Sequence, residues 1–191
     1  MSKIEEFENL LLSTKREGVE ALLEFIRKSD FYTAPASTKY HSCHEGGLLE
    51  HSLNVYKCLV AKLDNPIWKD VLSEIPKESL VVSSLLHDLC KTYFYVVEYR
   101  NKKNDDGIWE KVPYYTIDDK IAYGHGEKSV MMIEEYIKLT PVERYSIRWH
   151  MGWSEPKENY NALGKAMGKY PLVLALHEAD QEATYLLEEE C

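Results

Sequence analysis

At 191 residues the chain fits one domain, residues 1–191, long enough to bury a core without disulfide support. It is 45% hydrophobic and 29% charged, which is globular composition rather than disorder or membrane. A formal net charge of −9 weighs against binding duplex nucleic acid, although a local cationic site still suits a small anion such as a nucleotide.

No apolar run approaches a membrane span and residues 1–9 are acidic rather than signal-like, so a soluble, cytoplasmic protein without a membrane partner is expected. The four cysteines (Cys43, Cys58, Cys90, Cys191) show no CxxC or paired spacing, and unpaired thiols in a reduced compartment are the simpler expectation. Cys58 and Cys90 fall in apolar helical stretches and read as small core residues. Cys90 also neighbours His87-Asp88, yet core packing rather than chemistry is the expectation for it.

In chain order, Ile4, Phe7, Leu10 and Leu11, then Val19, Leu22, Leu23, Phe25 and Ile26, recur at helical spacing and predict two short covering helices. Pro35 and small polar residues make 31–45 a loop. Gly46-Gly47 opens a helix to about residue 63, and Pro76 starts another that carries Leu80 through Lys91. That second helix is apolar over Val81, Val82, Leu85 and Leu86, then turns polar at His87-Asp88. Adjacent ionisable groups ending a buried helix are costly unless paired or metal-bound, which marks them as a site.

Tyr93, Phe94, Tyr95, Val96, Val97 and Tyr99 have strand composition, Asn104-Asp105-Asp106-Gly107 a turn, and 108–116 a return strand. This predicts a β-hairpin, about 93–116, inserted in an all-α bundle, with Pro113 suited to an edge. Its aromatics and Arg100, Lys102 and Lys103 suit a lid that stacks on a base; a plain cap or a subunit contact is the alternative. Helices resume over about 125–139 and from Pro141 to His150, followed by a short one over 161–167 and a long one over 171–189.

Imidazole and carboxylate groups are the usual ligands for divalent metals that keep exchangeable positions. His51, His87, Asp88, His125, His150 and Asp180 are such residues, and helices can bring them together from distant positions. The phrases Gly46-Gly47-Leu48-Leu49-Glu50-His51 and Leu85-Leu86-His87-Asp88-Leu89-Cys90-Lys91 resemble the HD-domain superfamily of metal-dependent phosphohydrolases, over about residues 38–188. The resemblance implies an HD-type helical bundle in which His51, His87, Asp88 and Asp180 hold one metal. His125 and His150 match the additional histidines of the binuclear subset, in which the Asp of the pair bridges two metals (Mn, Fe, Co, Ni or Mg).

Two cations suit phosphoryl chemistry because they acidify water and neutralise phosphoryl oxygens. No serine elbow, cysteine signature or Walker A loop competes with that reading. Lys91 matches a family phosphate contact and is assigned a catalytic and substrate-binding role beside Asp88. Lys128 and Arg148, near the extra histidines, are further substrate-binding candidates or solvated helix residues. Gly124 and Gly126 expose N–H groups for an anion or simply shape a turn. His41 is a substrate-side candidate, His44 reads as local structure, and His177 as a supporting hydrogen bond or packing. The expected activity is metal-dependent hydrolysis of a nucleotide-like phosphoester or phosphoanhydride, with homo-oligomerisation open. An HD-type di-iron oxygenase and a non-catalytic nucleotide-binding module remain the alternatives.

Overall fold

α1 (Lys3–Ser13) starts at a capping box: the Glu5 N–H donates to Ser2 Oγ at 3.2 Å, and the Ser2 N–H donates to Glu5 at 2.7 Å. α2 (Val19–Lys28) buries Val19, Leu22, Leu23 and Ile26 along one face. In this computed structural model, which describes residues 1–121 and 123–191, both helices cover a core built on α3 (Gly47–Ala61) and α5 (Lys77–Leu86). Leu48, Leu49 and Leu53 meet Val82, Leu85 and Leu86 there, joined by Ile133 of α6 (His125–Glu134) and Ile147 of α7 (Pro141–Trp149). A second cluster sets Val55 and Leu59 of α3 against Leu72 of α4 (Lys69–Ser73) and Leu172, Ala175 and Leu176 of α9 (Pro171–Glu182). α8 (Tyr160–Lys169) adds Leu163 and Ala166 against Val173. The chain is thus mostly helical, with one small antiparallel sheet.

Buried Glu143 ties three segments together near the start of α7. It accepts from Ser79 of α5 at 2.7 Å, from the Thr140 N–H at 2.7 Å and from Arg16 at 2.5 Å. Thr140 closes the reciprocal cap and Pro141 occupies the first turn, where no N–H is needed.

β1 (Tyr95–Lys103) and β2 (Trp109–Ile117) pair from Tyr95 opposite Ile117 to Lys103 opposite Trp109. Pro113 lies opposite Tyr99; with two strands each is an edge, so its missing donor costs no ladder bond. The ribbon is largely exposed and carries cross-strand Lys111–Tyr99, Lys103–Trp109 and Arg100–Tyr114 cation–π contacts of 5.0–5.3 Å. Its base is fixed on the 30–36 loop, where Tyr95 donates to the Ala36 carbonyl at 3.0 Å and the Tyr93 N–H donates to Asp30 at 2.8 Å.

Five expectations shift, the first being that the helix expected over about 125–139 ends at Glu134. The helix expected to run through Lys91 stops at Leu86, because Asp88 leaves helical geometry (φ −106°, ψ 20°) and a 3-10 turn follows at Leu89–Lys91. The strand expected from Tyr93 begins at Tyr95, since Tyr93 is left-handed (φ 55°) to reach Asp30. The last helix gives way to a π turn at Ala183–Leu187, and the tail then runs back beside residues 41–42. The unpaired-cysteine expectation is corrected as well: Cys43 and Cys191 form a disulfide with Cα atoms 5.7 Å apart. Their separation of 148 residues leaves no local spacing to read. Among the described residues, no helix is long and apolar enough to cross a membrane.

Gly126 sets the approach of α6 to α7. A Cβ there would lie 2.2 Å from the Arg148 carbonyl oxygen, so any side chain must separate the helices. Gly126→Ala should therefore cost about 1–3 kcal/mol of stability, read as a lower urea midpoint; an unchanged midpoint would show that the helices separate freely.

Candidate metal centre

Five helices deliver six side chains to one buried point. α3 supplies His51 and α9 Asp180; His87 caps the C-terminus of α5, with Asp88 next to it. His125 opens α6, and His150 caps the C-terminus of α7. All are buried except His125, whose side chain is 27% exposed. His125 Nε2 lies 2.6 Å and His150 Nε2 3.4 Å from Asp88 Oδ1, while His51 Nε2 and His87 Nε2 lie 3.7 and 3.5 Å from Oδ2. His51 Nε2 is 3.1 Å from Asp180 and 3.3 Å from His87 Nε2. His150 is within reach of His87 and Asp180 as well as Asp88, so the six form one continuous cluster.

The hydrogen bonds behind the rings decide which nitrogen faces inward. His87 Nδ1 donates to the Ser84 carbonyl and His150 Nδ1 to the Ile147 carbonyl, each at 2.7 Å. Both acceptors belong to the last turns of α5 and α7, where helix carbonyls lack helical partners. His51 Nδ1 donates to Glu188 at 3.0 Å. Because these acceptors take only a donor, each neutral ring turns an Nε2 lone pair toward carboxylate oxygens or another Nε2. Lone pairs opposed in a dry interior are unfavourable unless a proton or cation lies between them. Two helix C-termini add partial negative charge at the same place. The donor set therefore fits divalent cations: it could hold them through imidazole nitrogen and carboxylate oxygen.

Without a cation, the charges balance internally. Burial would raise the Asp88 carboxyl, but Lys91 and the imidazoles of His87 and His125 hold it well below its ordinary value. Burial is likewise outweighed at Asp180, which His51 holds low. For His51, burial is overcome by Asp180 and Glu188, and its pKa rises to about 9. Burial dominates at His87, pushed down to about 3, and also lowers His125; Asp88 raises His150 despite burial.

The remaining candidates divide. Lys91 Nζ lies 2.6 Å from Asp88 Oδ2 and holds its proton firmly. Lys128 is buried against Asp119 at 2.7 Å, with its ammonium 5.1 Å from the Phe94 ring centre. Arg148 is shared between Glu127 and Glu155 and stacks on Trp149, so neither cation is a solvated helix residue. Gly126 serves helix approach, and Glu127 folds its carboxylate over Gly124. His41 faces Glu188 at 2.5 Å, one ring away from the cluster, and His44 is exposed beside the Glu45 carbonyl. His177 donates to the His150 carbonyl at 2.8 Å, and Gly152 (φ 54°) gives its ring room. Cys90 is buried, yet its Sγ lies 3.2 Å from His125 Nδ1; burial and Asp88 push its thiol up to about 12.

Glu188 is the partner that sequence reasoning missed. It falls within the helix expected over 171–189, yet its carboxylate is buried and accepts from His51, His41, Ser42 and Asn54. Only the turn after α9 brings it inside, and no local pattern announces that turn.

No family model and no solved structure matches the chain. It is 30% identical over 86 residues to dihydroneopterin 2′,3′-cyclic phosphate phosphodiesterase of Methanocaldococcus jannaschii. The match covers 44% of this chain and 31% of that relative, so the chain spans about a third of the relative's length.

The raised His51 pKa sets a pH dependence for chelator-treated protein. Its contribution is fully present below the ordinary value of 6.5 and is lost as pH rises through about 9. His87, neutral above about 3, adds no slope there. Urea unfolding should show a loss on the order of 1–3 kcal/mol across that window, reduced in His51→Gln, where His150, also raised, still adds its part; rising stability would contradict the charge assignment.

Proposed function

We propose that this chain is an HD-type metal-dependent phosphodiesterase acting on a small, nucleotide-like phosphoester. The observation that carries the reading is the set of inward Nε2 atoms, pinned from behind and converging on the buried Asp88 and Asp180 carboxylates. The phosphodiesterase relative supports hydrolysis over oxygenase chemistry or binding alone, and its cyclic phosphate substrate supports a phosphodiester ligand. In this reading His51, His87, Asp88 and Asp180 would hold one divalent cation, and His125 and His150, together with Asp88, would hold a second.

When bound, such cations neutralise phosphoryl oxygens and make water acidic enough to serve as nucleophile near neutral pH. Lys91 keeps its proton at Nζ and, beside Asp88, offers that ammonium to a phosphoryl oxygen. The substrate enters at His125, where a cavity of about 300 Å³ is lined by His125, Arg148, Met151, Glu155 and Asn159. Arg148 contacts phosphate there only by giving up a carboxylate, and Lys128 likewise must leave Asp119. His177 holds the backbone of His150 and so the angle of that ring.

The direct test is hydrolysis of 2′,3′-cyclic nucleotides and a nitrophenyl phosphodiester by protein loaded with Mn, Co, Fe, Ni or Mg. Turnover should vanish with chelator and in Asp88→Ala, which should also lose its metal. Lys91→Ala should lower kcat/KM about 10²–10³-fold with metal retained. His125→Ala and His150→Ala should reduce metal content toward one per chain. Oxygen consumption by the iron-loaded protein without phosphodiester cleavage, or full turnover in Asp88→Ala, would overturn the reading.

A further inference from the structure

Residues 188–191 return from α9 to the strand of chain that precedes α3. The Ser42 N–H donates to the Glu189 carbonyl at 3.2 Å, and His41 bridges to Glu190. Cys191 closes the arrangement covalently on Cys43. Between these contacts, the buried Glu188 carboxylate accepts from His51 Nδ1 at 3.0 Å and from Asn54 at 3.2 Å on one oxygen. Its other oxygen meets His41 Nδ1 at 2.5 Å and Ser42 Oγ at 2.9 Å. His87 and His150 obtain the same service from carbonyls of their own helices, which cannot leave. His51 obtains it from a tail that follows a π turn exposing Tyr185, Leu186 and Leu187.

We propose that Glu188 is a positioning residue for His51 and that the Cys43–Cys191 disulfide holds it there, making the metal centre sensitive to thiol redox state. Cys43 is partly exposed and Cys191 exposed, so a reductant reaches the bond. Two electrons and two protons from a reductant such as a dithiol convert the disulfide to two thiols and the dithiol to its own disulfide. The tail then keeps only its non-covalent contacts. Each departure of Glu188 frees the His51 ring to change tautomer and turn. Loss of such a supporting partner characteristically weakens metal affinity 10–100-fold.

The inference rests on the metal reading above, and manganese binding to the full chain separates the two. Mn(II) is the probe because thiols bind it weakly, and its affinity is read from the free-ion electron paramagnetic resonance signal. Phosphine reduction of the wild-type chain, or Cys43→Ser, should weaken Mn(II) binding 10–100-fold and speed deuterium uptake over residues 184–191. Glu188→Ala should weaken binding equally and make it indifferent to reduction. Glu188→Gln, whose amide oxygen still accepts from Nδ1–H, should recover most of the affinity while the disulfide is intact. Circular dichroism confirms that each variant is folded, and the reduced wild type needs no substitution. Tight Mn(II) binding that ignores both reduction and Glu188→Ala overturns this inference alone. Absence of Mn(II) binding to oxidised wild type overturns it together with the metal reading.

Discussion

Asp88 carries its negative charge with 2% of its surface exposed, where an unpaired carboxylate would cost several kcal/mol. Everything around it answers that cost. Lys91 supplies a cation 2.6 Å away, and four imidazoles present nitrogen within 3.7 Å of one or the other oxygen. The α5 helix stops at Leu86 so that His87 caps it and Asp88 turns out of helical geometry into this cluster. A continuous helix would have set Asp88 and Lys91 on a regular surface rather than around a shared point.

The bundle acts as a frame for aiming rings. Two helix C-termini use their unpaired carbonyls to fix His87 and His150, so the same groups that end the helices also select the inward nitrogen. Glu143 fixes where α7 begins, through Ser79 of α5 and Arg16, and thereby where its other end places His150. Gly126 lets α6 sit on the α7 terminus, bringing His125 to Asp88. The hairpin ribbon stands largely in solvent, anchored at its base by Tyr93 and Tyr95.

Much of this was legible in the residues. Ordinary apolar spacing located α1, α2, α3 and α5, and the Asn104–Gly107 turn flanked by strand-forming residues located the hairpin. The polar break at His87-Asp88 marked the site because burial makes such a pair expensive, and the six candidate ligands do converge. Less legible were partners chosen by tertiary contact. Nothing local tells that Lys128 goes to Asp119, that Arg148 is shared between Glu127 and Glu155, or that Glu188 leaves an acidic tail for the interior. The Cys43–Cys191 bond belongs with these, since its two partners lie 148 residues apart and only the tertiary fold sets the tail beside residues 41–43.

The proposed function stands on the six converging side chains binding divalent cations around a shared Asp88. Anomalous X-ray scattering from crystals of manganese-loaded protein, recorded at the metal edge, tests it without reference to any substrate. The account predicts two peaks, one on each side of the Asp88 carboxylate and both within bonding distance of it. A map with no peak among these residues, or with its peaks only at surface carboxylates, would contradict it.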